Sequence, residues 1–166
     1  MNETAEQLYT LLGTLRRPPV VLCIGSDRVT GDCVGPLVGH MLMQSGAPCV
    51  VFGTLRAPVT ALNLSETLEI VRSACPSGKV IAVDSCVGAE SDLGKIRVLR
   101  GSLRPGLACG KTLPKVGDLS VTATVTSGNA DNLYSVRLGF VYSLADTIAA
   151  AIADACRRRT RIEHTA

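Results

Sequence analysis

Short apolar runs alternate with amphipathic stretches along this chain, and the alternation predicts an α/β protein. Leu8, Leu11, Leu12 and Leu15 recur at helical spacing, which predicts a helix over Glu3–Leu15 closed by Pro18-Pro19. Val20–Ile24 is a continuous apolar run, as expected of a strand covered on both faces. Cys33–Gln44 reads as a helix with Pro36 in its first turn, where proline is tolerated, and Ser45-Gly46 stops it. Cys49–Phe52 is the next strand and Gly53–Val59 a loop. Ala61–Ala74 is a helix turning Leu64, Leu68 and Val71 inward, and Lys79–Val83 is a third buried strand.

This βαβαβ rhythm implies a parallel sheet with right-handed crossovers, flanked by helices as a three-layer α/β/α sandwich. The rhythm then changes. Lys95–Arg100 reads as a less buried strand, Arg104–Val116 as a Gly- and Pro-rich ordered loop, and Asp118–Thr126 as a strand with strict alternation. Ser127–Asn132 is a turn-rich loop, and a long helix falls between Tyr134 and Arg159. The expected organisation is one domain over residues 1–166. It has an N-terminal helix and Pro-Pro break over residues 1–19 and a basic tail over residues 157–166.

Aromatic residues make up only 3% of the chain and Trp is absent, so the core must be built from Val, Leu, Ile and Ala. No run of about 18 consecutive apolar residues predicts a membrane span. The N-terminus lacks the basic and apolar regions of a signal peptide, so a cytoplasmic location is the expectation. The net charge of +3 is weak. The one basic cluster, Arg157-Arg158-Arg159 with Arg161, is read as complementing a helix dipole. Without interleaved aromatics it does not read as a nucleic-acid surface. Seven cysteines, an odd number with no C-x-x-C pair, argue against a disulfide framework and a thiolate zinc site. They read as buried free thiols.

The chemistry gathers around aspartates. Asp27 and Asp32 follow the first strand, and Asp84-Ser85 follows the third. In a doubly wound sheet of order 2-1-3, ligands bind beyond the strand C-termini where the order switches. That rule brings all three carboxylates to one crevice. Each has a plainer reading beside it. Asp32 is also a candidate N-cap for the helix opening at Cys33. Asp84 could cap a short turn through Ser85, and Asp27 could form a surface ion pair with Arg28.

Other motifs fail. The stretch from Gly25 to Gly31 has roughly the glycine spacing of a phosphate-binding loop but places Asp32 where the lysine should stand. G-x-G-x-x-G and G-x-S-x-G are both absent. The glycines therefore read as making room for backbone near carboxylates. No cofactor is expected, although Asp27, Asp32 and Asp84 are oxygen ligands that could form a weak divalent-cation site. His40 reads as a structural histidine, and His164 lies in the tail.

The motifs IGSDRVTGDCVGPLVG, GTLRAPV-x-A-L-NL, IAVDSCVG and LPKVGDLSVTATV resemble the spore protease family of the YyaC type, over roughly Val20–Ala155. That family is similar in fold to the spore germination protease and the hydrogenase maturation peptidases, with a phosphorylase/hydrolase-like α/β/α sandwich. The resemblance implies a cytoplasmic peptidase of sporulating cells, working in the forespore or spore interior. It places an acid–base aspartate pair on Asp32 of TGDCVGP and Asp84 of AVDSC. The hydrogenase peptidases add a metal-holding His that has no counterpart here. After Gly53-Thr54-Leu55 the family pattern carries acidic residues and a His. This chain has Arg56, Ala57, Pro58, Val59 and Thr60, which reverses the charge.

The expected function is peptide hydrolysis. One carboxylate takes a proton from water and the other donates to the amide. Ser26, Ser85 and backbone N–H groups near Thr30 and Gly31 steady the oxyanion. Asp27 supports the pair, and Arg56 faces substrate. Expected partners are a protein or peptide substrate and a second copy of the chain, with no nucleic acid and no membrane. Two alternatives stand beside this: a catalytically inactive peptide- or partner-binding regulator on the same fold, and a metal-dependent peptidase or amidase.

Overall fold

The computed structural model describes residues 3–106, 110 and 112–163, the last three by backbone only. Cys109 and His164 lie outside the described residues. Helices α1 (Glu3–Leu12), α2 (Val34–Ser45), α3 (Leu64–Ala74) and α4 (Leu138–Glu163) surround five strands. These are β1 (Val20–Cys23), β2 (Val50–Phe52), β3 (Val80–Gly88), β4 (Ile96–Arg100) and β5 (Leu119–Ser127). They form one sheet of order β2-β1-β3-β5-β4, parallel except for β4, which runs antiparallel to β5 at the edge. The expected 2-1-3 order is present, and with it the switch point between β1 and β3.

The alternation of side chains divides the sheet cleanly. Val21, Cys23, Ile81, Val83, Leu119, Val121, Ala123 and Val125 enter the larger core, together with Leu8 and Leu12 of α1, Val34 and Leu42 of α2, and Ile148 and Ile152 of α4. Leu22, Ile24 and Ala82 enter the other core, with Leu64 and Leu68 of α3 and Val59 and Val116 from loops. The sheet is thus covered thickly on one face. On the other it is covered by α3 and by Leu103, Leu113 and Val116 from the segment before β5. Under that thinner cover β5 turns Ser120, Thr122 and Thr124 away from the larger core. This explains why β5 alternates strictly while β1 is apolar throughout.

Several boundaries differ from the sequence expectation. α1 stops at Leu12 rather than Leu15, because Gly13 takes φ +58°; Leu15 is buried all the same. α3 starts at Leu64 rather than Ala61. Thr60–Asn63 is instead a turn in which the Thr60 N–H donates to Asn63 Oδ1 at 2.8 Å. The largest difference is β3, which runs five residues beyond Val83 because β5 continues beside it and pairs Asp84 with Thr122.

The arginines expected to follow the last helix lie within it, since α4 reaches Glu163. Arg158 pairs with Glu6 at 2.5 Å, and Arg159 donates to the Tyr9 carbonyl at the end of α1. Both guanidiniums lie over the Tyr9 ring, at 4.0 and 3.7 Å from its centre. Such contacts add roughly 0.5–1 kcal/mol at exposed sites. The arginines clamp α1 onto α4 and form no tail there. The segment Leu138–Thr160 is long and apolar enough to cross a membrane by length and composition, yet half of it is buried against the rest of the chain.

α2 lies against the sheet at backbone distance. A Cβ at Gly35 would stand 2.1 Å from the Ile24 carbonyl oxygen, and one at Gly39 would stand 1.8 Å from that of Gly53. Close-packed backbone cannot relax to admit a methyl group. Gly35→Ala is therefore expected to lower stability by about 1–3 kcal/mol. Gly139→Ala, at a helical position with nothing within 4 Å, should raise it by about 0.5–1 kcal/mol. Urea denaturation of the two variants checks the contrast, and equal effects would refute the packing account.

Candidate active site

β1 and β3 stay paired through Cys23 and Val83, and the Ile24 N–H still reaches the Val83 carbonyl at 2.8 Å. Beyond that point β1 leaves the sheet and β3 continues. Asp84 is the first β3 residue past the divergence, paired to β5 on one side only. Its carboxyl is buried, at 8% exposure, and Oδ1 accepts from the Ser85 N–H at 2.9 Å. The bond is made within a strand, so the expected turn cap at Asp84 does not form. Two residues further, the β3–β5 register shifts between Cys86 and Val87, an irregularity of the kind common beside functional sites.

The gap left by β1 is filled by the loop that follows it. Gly25 sits at φ +143°, and a Cβ there would stand 2.0 Å from the Asp32 carbonyl oxygen. The Ser26 N–H donates to that same oxygen at 3.1 Å, and the Gly25 N–H donates to Val59 at 2.9 Å. The loop thus folds back across its own start and sets Asp32 at the end of the 3-10 turn Thr30–Asp32. The N-cap position of α2 is Cys33, with no side-chain capping bond from that residue, one place after the Asp32 that the sequence suggested. Gly31 is buried against Leu133 of the short Ala130–Ser135 helix, with no room for a Cβ.

Asp32 and Asp84 are close enough to feel each other. Burial first, and the Asp32 charge second, hold the Asp84 carboxyl well above the usual carboxylate range, against the opposing Ser85 N–H. Asp32 itself is half-buried. The structure therefore separates two like residues into a buried Asp84 of raised proton affinity and a more accessible Asp32. The adjacent Cys33 thiol is pushed up by burial, then by Asp27 and Asp32, which makes it a poor nucleophile.

The remaining expected residues are arranged unevenly. Ser26 and Thr30 are half-buried in the loop, with Ser26 Oγ accepting from the Arg28 N–H at 3.2 Å. Ser85 is half-buried beside Asp84. Asp27 is exposed, and among the described residues it makes no ion pair with Arg28. Arg56 is exposed in the loop after β2, where Thr54 Oγ1 accepts from the Ala57 N–H at 3.2 Å. His40 is half-buried in the middle of α2. Among the described residues no three His, Cys, Asp or Glu side chains stand together as a metal-ligand group.

The sequence reading missed the polar side chains sharing the Asp84 face. Thr122 lies opposite Asp84, and buried Thr124 meets Cys86 Sγ and Arg97 Nη1, each at 3.4 Å. The polar positions of the strictly alternating strand were the available signal. Two surface cavities lie elsewhere. One of about 270 Å³ is lined by Leu93, Ser127, Val136 and Phe140, and one of about 340 Å³ by Glu6, Thr10, Leu11 and Val98.

Comparison with known proteins gives the family and the fold. The chain belongs to the family described as "Protein of unknown function (DUF1256)", whose model matches residues 1–151. It is 37% identical over 168 residues to the uncharacterized protein YyaC of Bacillus subtilis, covering 96% of this chain and 82% of that one. Its fold is similar to that of the [NiFe] hydrogenase maturation protease HycI from Thermococcus kodakarensis. The TM-score is 0.60 at 17% identity, over 90% of this chain and 98% of the other.

The raised Asp84 value fixes the sign of a pH effect. A carboxyl that holds its proton more tightly when folded favours the folded state below about pH 4, the unfolded value. That contribution is lost as pH rises through the folded value. Asp84→Asn removes the ionisation, so the variant should melt a few degrees higher than wild type at neutral pH. The gap should shrink toward pH 4. Melting curves from pH 4 to 8 that run parallel for the two proteins would refute the assignment.

Proposed function

We propose that the protein is a peptidase-like hydrolase in which Asp32 and Asp84 act as an acid–base pair. The observation that carries this reading is the unequal environment of the two carboxyls at the sheet's switch point. Buried Asp84 keeps a proton to give to the scissile carbonyl or leaving nitrogen. Asp32 stays ionised and takes one from the attacking water. Ser26, Ser85 and the backbone N–H groups around Thr30 and Gly31 would steady the developing negative charge. Likeness of fold to a maturation protease supports the class of reaction; fold alone does not fix activity. The family resemblance in the motifs suggests the cytoplasm of a spore-forming cell as its setting, with a protein or peptide as substrate.

The test is cleavage of unfolded polypeptides, read as new N-termini by mass spectrometry. Asp32→Asn and Asp84→Asn should each lower the rate by about 10²–10⁴ while circular dichroism stays unchanged. Full activity in either variant would overturn the pair.

Two carboxylates without a third described ligand make a poor cation site, so cleavage should persist after exhaustive chelation. Activity lost with EDTA and restored by one divalent metal would favour the metal-dependent alternative.

A second reading, a partner-binding regulator on the same fold, is favoured by exposed Arg56, which makes no ion pair among the described residues. A stable, uncut polypeptide complex that Arg56→Glu releases would support that reading over catalysis.

A further inference from the structure

The aromatic side chains of this protein are few, and most of them are not in its core. The chain holds three Tyr, two Phe and no Trp, yet Tyr134, Phe140 and Tyr142 all reach the surface within nine residues. Leu138 of the same segment is exposed, and so is Leu93. Leu93 and Phe140, with buried Val125, line the cavity of about 270 Å³ at the carboxyl end of β5. Asn132, Ser135 and Arg137 supply its polar side. Asn132 is already engaged, since its Nδ2 donates to the Ser127 carbonyl at 2.7 Å. Arg137 is exposed and makes no ion pair among the described residues. Aromatic residues and arginine are enriched where proteins bind other chains.

We infer that this cavity is a polypeptide-binding site that takes a bulky apolar side chain together with a neighbouring Asp or Glu carboxylate. Its volume and its charge choose that occupant. The cavity is at the small end of ligand pockets, so it holds a side chain of a longer molecule rather than a whole ligand. Its apolar lining calls for an apolar residue. Arg137 lies at the exposed rim, where a carboxylate beside the inserted residue gives the guanidinium the partner it lacks.

The site is joined to the proposed catalytic pair. The short Ala130–Ser135 helix touches both: Leu133 covers Gly31 in the turn that bears Asp32, and Asn132 and Ser135 line the cavity. Along β5, Ser127 lies five residues past Thr122, which pairs with Asp84. At about 3.3 Å per residue this is roughly 16 Å, or about five residues of extended peptide. A substrate held in the cavity is then cut about five residues from its acidic and apolar pair. That spacing rests on the peptidase reading, whereas the binding does not.

The experiment measures binding by fluorescence anisotropy to the full chain carrying Asp32→Asn, so that no peptide is cut. Labelled peptides of Gly and Ser, blocked at both ends, carry Glu-Phe, Gln-Phe or Glu-Ser at the centre. The Glu-Phe peptide should bind saturably and the other two about fivefold more weakly. Added Arg137→Gln should weaken the Glu-Phe peptide to the level of Gln-Phe and leave Gln-Phe unchanged. Phe140→Ala should weaken both Phe peptides. Both residues are exposed, so neither change threatens the fold. No saturable binding, equal binding of Glu-Phe and Gln-Phe, or indifference to Arg137→Gln would each overturn the site. Tighter binding of a peptide whose one carboxylate is its free C-terminus would overturn it too. A dimer in sedimentation that Phe140→Ala dissolves would assign the patch to a second copy instead. Cleavage by the unmodified chain separates the two proposals. Arg137-dependent binding without cleavage supports this site and removes the catalytic pair. Cleavage with no preference for a nearby Glu-Phe overturns this site and leaves the pair.

Discussion

The structure depends on one close contact: the backbone of α2 and its leading loop lies directly on the carboxyl end of β1. Asp32 crosses over Gly25, Gly35 rests on Ile24, and Gly39 rests on Gly53, each without space for a methyl group. This contact sets how deeply α2 sits on the sheet. It thereby sets where the turn ahead of α2 delivers Asp32. A helix lifted by one side-chain layer would carry that carboxyl away from β3 and leave Asp84 buried without its charged neighbour. Packing density and site geometry are the same constraint here, since interiors packed like crystals pass small displacements on undiminished.

Much of this was legible in the chain. The apolar runs gave β1 and the parallel βαβαβ start. The glycines around Asp32 were readable as space for backbone, and the switch-point rule singled out Asp27, Asp32 and Asp84 as candidates for one crevice. The limits were local. The spacing of Val80–Val83 could not show that β3 continues, because Asp84-Ser85-Cys86 is not a strand-forming run by its own preference. Its extension is imposed by β5, more than thirty residues later in the chain, which supplies the ladder. Long-range pairing of this kind overrides local propensity. The arginines failed for a related reason. As a cluster they suggest a tail, and only α1 lying alongside α4, with Tyr9 facing them, gives them partners.

The site residues divide along the same line. Asp32 and Asp84 were singled out as candidates through topology, which a sequence carries well. The plainer readings depended on local geometry and gave way to it: Cys33 occupies the N-cap position, and Asp84 lies inside a strand. Thr122 and Thr124 were hidden because a threonine in an alternating strand reads as solvent-facing. Here the face opposite the larger core is closed by α3 together with Leu103, Leu113 and Val116, and Thr124 is buried on it as Asp84 is.

The asymmetry between the two aspartates follows from where each sits on the backbone. Asp84 belongs to a strand held by β5, so its carboxyl is fixed and enclosed, and loss of solvent is the main cause of its raised proton affinity. Asp32 ends a single 3-10 turn on the open side of the gap where β1 departs, a position nearer solvent and anchored by the loop's own hydrogen bonds. A pair in which both members sat on strands would share one environment and compete for one proton without a preferred holder. A pair in which both sat on loops would be screened by water and titrate nearly independently. Placing one on the sheet and one on the turn gives chemically identical groups different surroundings, with Asp84 enclosed and its proton affinity raised and Asp32 half-buried. The divergence of β1 from β3 at Val83 creates that arrangement.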